Sequence, residues 1–255
     1  MTTPEFNPAR VDVSDPETFR RQLLDDDQRV REQFAEALAP ELDQLAEGLS
    51  VCFTRMEPVH EVAAFLPMPH IDLTCAFTLG MVDDLIVSTK LLLAGKLPAS
   101  GNMMRQAIEG YAMAILCSTD EDLVIVKRPK QGDLRGRYWK MVWADDRQVQ
   151  GQRAVELLAL NADVLGVKHE GVASLETVQK LYHPYSHCGR VTVEHRADVA
   201  QPGMYHLGGH FEVAKLEGYR SHMRQRIAFC RAVPPFLDHL LAMLSNIPPN
   251  PSAPA

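Results

Sequence analysis

No two of the five cysteines form a CxxC pair. Cys52, Cys75, Cys117, Cys188 and Cys230 are odd in number and widely scattered, which argues against a disulfide framework and a zinc ribbon. As small apolar side chains they fit a reducing, cytoplasmic setting. A secretory leader is not expected either, because MTTPEFNPARVDVSD contains no apolar stretch. Long uncharged hydrophobic runs are also absent. The most apolar stretch, residues 71–97, carries Asp83 and Asp84 at its centre, and a charged side chain at mid-bilayer costs about 2.5–3.5 kcal/mol. The expectation is a buried core helix and no membrane. There is no P-loop, no GxSxG elbow, no GxGxxG fingerprint and no HExxH, so none of those chemistries is announced. No internal repeat is present.

What remains is an ordinary globular composition, 46% apolar and 23% charged, with length for a substantial core. The charge is uneven. Residues 1–50 hold 12 acids against 5 Lys or Arg, so the whole net charge of −7 lies there and the other 21 of each sign cancel. The chain reads as an acidic helical arm (1–57), a helical bundle domain (58–246) and a disordered proline-rich tail (247–255).

Helical periodicity recurs along the chain. Ser14 is placed to cap a helix entered at Pro16. Pro40 ends one helix and opens the next, with Leu42, Leu45, Leu49 and Phe53 on one face; Pro58, Pro67 and Pro69 then interrupt the chain. The apolar helix spans 71–94, with Gly95 as its C-terminal cap. Another follows from Ser100 to 118, and the short link predicts an antiparallel hairpin. Residues 119–144 read as strand or helix. The helical pattern returns over 145–165, 174–183 and 217–245, with Pro234 and Pro235 kinking or splitting the last. Residues 188–213 read as an irregular loop or small hairpin, the valines of RVTV favouring extended chain. The fold class expected is all-α, a single-domain antiparallel bundle.

Five of the ten histidines fall within 183–210. His183 and His187, four apart, share a face on a regular helix, but Pro184 lies between them. His195, His206 and His210 have Glu194, Asp198 and Glu212 nearby, and three metal ligands can be assembled from this set. The reading taken is a solvated loop, with no metal and no cofactor. Arg105 and Glu109 are four apart on a partly buried helical face, where an ion pair is unusual; Arg105 can serve as an anion-binding group. Six basic residues over 127–140 interleave with Tyr138, Trp139 and Trp143, a pattern that can contact nucleic acid or be covered by the acidic arm.

LLLAGKLPASGNMMRQAIEGYAMAILC, LYHPYSHCGRVTVEH and YHLGGHFEVAKLEGY, in this order over 91–244, together resemble all-helical bacterial families of unknown function, some of them linked to the HEPN-like group. The resemblance implies that Arg105, Glu109, Ser186 and His187 face one another. The reading is a cytoplasmic binding or regulatory protein with a polar pocket formed by Arg105, Glu109, Tyr182, Ser186 and His187. The alternative is an HEPN-like, metal-independent ribonuclease on the R-x4-H pair, with Arg190 on the phosphate and His195 as base. His187, Arg190 and His195 are the candidate catalytic residues, and RNA is the partner in that case. An amphipathic arm also suits a homodimer.

Overall fold

The computed structural model describes residues 14–66 and 68–245; the expected tail and Pro67 lie outside them. The architecture is mainly α, as the periodicity predicts. In chain order it comprises α1 (Pro16–Leu24), α2 (Gln28–Ala37), α3 (Ala39–Ala63), α4 (Pro69–Leu93), α5 (Leu97–Cys117), β1 (Asp122–Val126), β2 (Leu134–Arg137), α6 (Tyr138–Trp143), α7 (Ala154–Leu160), α8 (His169–Tyr182), α9 (Arg190–Glu194) and α10 (Leu216–Ser245). Two pairings organise it: α4 with α5, and α3 with α10.

α4 is the apolar helix expected at the centre. Thr74, Thr78 and Thr89 stay buried in it because each hydroxyl donates to the carbonyl four residues back, at 2.8, 2.7 and 2.8 Å. That removes the cost of an unpaired buried hydroxyl. The α4–α5 link is as short as expected: Gly95 takes φ +70°, a conformation costly for a residue with a side chain. α5 starts earlier than Ser100, at Leu97, with Pro98 in its first turn, where a missing N–H costs nothing. Ser100 locks the hairpin instead. Its hydroxyl donates to Ser88 O, and the Ser88 hydroxyl to Ser100 O, both at 2.7 Å.

Other expectations need correction. Asp15, not Ser14, caps α1, accepting from Thr18 N at 2.9 Å. Pro58 does not interrupt the chain but lies inside α3, so the 57/58 boundary cuts a continuous helix. α8 begins at His169, and Pro184 is absorbed by a 3₁₀ turn, His183–Ser186. Within 145–165 only Ala154–Leu160 is α-helical. Residues 119–144 begin as a strand: β1 and β2 form an antiparallel pair. The Asn161 side chain accepts from Val124 N at 2.7 Å and donates to Val124 O at 2.9 Å, satisfying backbone groups of a buried strand.

RVTV is helical, not extended. Thr192 accepts from Gly189 N at 3.1 Å and donates to Gly189 O at 2.7 Å, which nucleates α9 against its β propensity. The following loop holds one isolated bridge, Ala197 with Tyr205, rather than a hairpin. α10 runs through Pro234 and Pro235. Pro234 has no N–H for the carbonyl of Cys230, and Cys52 Sγ lies 3.6 Å from that oxygen, a weak donor from α3 filling the gap. α10 is also apolar and long enough to cross a membrane by composition, with 39% of its most apolar window buried in the fold.

Candidate functional site

Residues of α4 and α5, with the turns around Gly151 and Ser186, line a cleft of about 760 Å³. Close backbone approach shapes it. A Cβ on Gly110 would stand 3.3 Å from Met81, and one on Gly151 3.3 Å from Glu109 Oε2. On the far side Tyr185 seats directly on α5 at Gly101, where a Cβ would lie 2.4 Å from its ring. That seat brings the next residues, Ser186 and His187, to the cleft wall.

Arg105, Glu109, Ser186 and His187 thus share one cleft. Arg105 is not a free cation in it. Its Nε donates to Glu109 Oε1 at 2.8 Å, and its Nη1 lies 3.3 Å from His183 Nδ1. Gln179 reaches the same Glu109 oxygen at 3.4 Å. Ser186 Oγ is buried and has no hydrogen-bond partner. His183 and His187 pack edge to face, 5.1 Å between centroids, and both are exposed.

Asp83 and Asp84, which in the sequence stand out only as charges within an apolar stretch, also line the cleft. Burial, and then the neighbouring Asp83, hold the Asp84 carboxyl above its ordinary range. The available signal was its position three after Met81 and seven after Phe77 on an otherwise apolar face. Asp83, Asp84 and Glu109 face a single Arg105, so the lining is net acidic.

Tyr182 was expected in this pocket, and the structure turns it away. It is fully buried in a network behind the wall. Arg226, also fully buried, donates to Ser88 Oγ at 2.7 Å, Ser100 Oγ at 2.6 Å, His222 O at 2.9 Å and Tyr182 OH at 3.4 Å. Tyr182 OH lies 3.2 Å from His222 Nδ1, His222 Nε2 lies 3.2 Å from Tyr185 OH, and that hydroxyl lies 2.9 Å from His195 Nε2. Guanidinium can only donate, so the Tyr182 oxygen accepts from Arg226; its proton is then available to His222 Nδ1, and with His222 protonated on Nε2 the chain continues as His222 donating to Tyr185 and Tyr185 to His195. Burial, then Arg226 and His195, push His222 down to about 3. Burial, then Lys215, lower His195. Neither Arg226 nor His222 was anticipated. The signal for Arg226 was a charge on the apolar stripe Tyr219, Met223, Cys230, Val233.

Arg190 and His195 point to different partners. Arg190 is exposed and pairs with Glu194, while His195 belongs to the tyrosine network. In the 127–143 stretch, Lys127 pairs with Asp133 and Arg137 with Asp120, and Trp139 Nε1 donates to Asp120 at 2.8 Å. The acidic arm pairs elsewhere, Asp27 with Lys96 and Glu41 with Arg220.

The loop that carries His206 and His210 is exposed over 199–205 and at 207–208, as expected, but His210 is drawn out of solvent. His210 is 9% exposed, and its neighbours Asp198 and Glu212 are also largely withdrawn.

No protein-family model, curated protein or solved structure matches the chain significantly.

Proposed function

We propose that the protein is a binding or regulatory protein whose cleft takes a small, positively charged, hydrogen-bonding molecule such as a polyamine or an amino sugar. The observation that carries this reading is the charge of the lining: three carboxylates with one arginine that is already paired. A cation placed beside Asp83 and Asp84 relieves their mutual repulsion and replaces the proton that burial favours on Asp84. Phe77, Met81 and Met113 supply apolar contact for a carbon skeleton. The unpartnered hydroxyl of Ser186 and the side chain of Gln106 supply orientation.

A thermal-shift panel of polyamines, amino sugars and acidic controls tests it. A cationic member should raise the Tm of the wild type, and Asp84→Asn should remove most of that rise while leaving the unliganded Tm nearly unchanged. Stabilisation by anions alone, or an undiminished shift in Asp84→Asn, contradicts the reading.

The HEPN-like ribonuclease built on Arg190 and His195 has one supporting observation, that His195 is held neutral as a general base must be. Its Nε2 is taken up by Tyr185, however, and Arg190 is turned to Glu194. Incubation with tRNA in EDTA, comparing wild type with His195→Ala, decides it.

A further inference from the structure

The loop between α9 and α10 gathers a second set of donors, away from the cleft. One donor atom from each of His206, His210 and Glu212 lies within 4.8 Å of the others. The two imidazoles are nearly parallel, 14° apart with centroids at 3.9 Å. His206 Nε2 stands 3.2 Å from Glu212 Oε1 and 3.5 Å from Asp198 Oδ2. Donors held about 2.0–2.1 Å from a tetrahedral zinc are separated by roughly 3.3 Å. The two carboxylates around His206 therefore already have the spacing of a coordination shell, and the His210 donor lies within 4.8 Å of the His206 and Glu212 donors. Because an imidazole binds a metal in its own ring plane, one of the two stacked rings must turn for both to reach a single ion.

Of these side chains, all but His206 are largely withdrawn from solvent. Glu212 is 13% exposed and Asp198 17%. His210 Nδ1 is buried with no hydrogen-bond partner, so the imidazole is incompletely used by the protein itself. The loop is also pressed onto the body. A Cβ on Gly209 would fall 1.7 Å from Ala94 O, and one on Gly95 would fall 2.3 Å from His210 N. The histidine spacing H-L-G-G-H is thus held against the α4–α5 turn at two points where only hydrogen fits.

Lys215 also belongs to the cluster. Its Nζ lies 2.8 Å from Glu212 Oε2 and 3.4 Å from His210 Nε2, and it donates to Ala197 O at 2.7 Å. It occupies Oε2, while Oε1 is the oxygen that faces His206. With Lys215 counted, Asp198 and Glu212 leave one net negative charge for a dication shared with two neutral imidazoles.

We propose that His206, His210 and Glu212, with Asp198 as fourth donor, bind a divalent transition metal, zinc foremost. Two imidazoles with carboxylates suit zinc, cobalt or nickel over calcium or magnesium. Four protein donors make the site structural. Closing it clips residues 198–212 to the start of α10 and, through Gly209, to the α4–α5 turn.

The test uses the full chain, stripped with EDTA, desalted and titrated with Zn²⁺ against a chromophoric chelator. About one zinc per chain is expected. His206→Gln, at a ring that is 32% exposed, and Glu212→Gln should each weaken binding by more than the roughly 10–100-fold that losing an outer-shell partner costs. His187→Gln should leave binding unchanged, and circular dichroism confirms that each variant is folded. Substitution with Co²⁺ gives an independent reading on the wild type alone: intense tetrahedral d–d bands support the site. Folded wild type that takes up no zinc, weak six-coordinate cobalt bands, or undiminished zinc binding in both glutamine variants overturns the proposal.

Discussion

Arg226 is a cation in a core with no carboxylate among its hydrogen-bond partners in the described residues. Burial lowers its pKa, yet a guanidinium keeps its proton inside a protein, so the charge is spread over neutral acceptors. Ser88 and Ser100 can accept because their own protons are spent on each other's carbonyls. The arginine thereby joins α4, α5, α8 and α10 at one point. Arg226→Ala should cost about 3–5 kcal/mol, since the helices cannot collapse onto the cavity and the hydroxyls lose their donor. Arg226→Lys should recover little of it, because a single ammonium lacks the fork that reaches both serines, Tyr182 and His222 O. Urea unfolding measures both. His222 makes a separate prediction. It stays neutral in the fold down to about 3, against an ordinary value of 6.5. Below pH 6.5 the unfolded chain gains a proton that the fold refuses. Its contribution is therefore complete above 6.5 and is lost as pH falls toward 3. Stability should drop by up to about 1.4 kcal/mol per pH unit in that window. His222→Gln should flatten this slope in urea titrations between pH 6.5 and 4, and an unchanged slope contradicts the assignment. At this scale the cleft was half legible. Arg105 and Glu109 stood out as charges on a helical face, and Ser186 and His187 by resemblance. Asp84 and Arg226 were legible only as charges on apolar stripes, and an apolar stripe alone does not say what meets the charge. Tyr182 was misplaced because the 3₁₀ turn after it rotates Ser186 and His187 off its face.

Elements meet where glycine lets backbones touch, and the loop before α10 depends on this more than any other. Gly95 combines φ +70° with the His210 backbone beside it. Gly95→Ala should therefore cost about 1–3 kcal/mol, from backbone strain together with a displaced His210 segment. Gly80 lies inside α4, and a Cβ added there would meet nothing within 4 Å. Gly80→Ala should stabilise by about 0.5–1 kcal/mol. Opposite shifts in Tm from the same exchange would separate contact from propensity; equal shifts would show that the Gly95 approach is not tight. Helices with an uninterrupted period, α4 and α5, were readable to within a few residues. α9 was not, because the side chain of Thr192 overrides three β-favouring positions. The 145–165 stretch kept helical spacing yet forms two 3₁₀ turns before α7, since Gly151 must pass close to Glu109. The first deciding contact is a local side-chain cap and the second a tertiary approach, and neither leaves a period in the sequence.

At the scale of the whole molecule the acidic arm is structural, not an appendage. Phe34 and Leu38 are fully buried. The Phe34 ring lies 4.7 Å from that of Tyr219 and 4.9 Å from that of Phe211, so α2 seals the start of α10. α3 then runs along α10, burying Leu45, Cys52, Met56 and Val59, and Arg55 pairs with Asp238 across the contact. Composition separated residues 1–57 from the rest by charge, but charge marks the outward face only. The inward face carries the same apolar period as the bundle. A chain beginning at residue 58 would lose most of α3 and uncover the face of α10 that α3 packs on, including Cys230, whose Sγ lies 3.6 Å from Cys52 Sγ. It should be insoluble or collapse without cooperative unfolding. Removing residues 1–24 takes away, among the described residues, one helix, α1, which has no buried residue, and should change Tm by little. Phe34→Ala in the full chain should cost about 3–5 kcal/mol, in line with emptying a closed aromatic site. Limited proteolysis gives the same contrast without mutation. Early cleavage is expected near the exposed Asp25 and Asp26, between α1 and α2, and none within α3 while the fold persists. Early cuts inside α3, or a soluble and cooperative 58–255 fragment, would restore the arm to a separate domain.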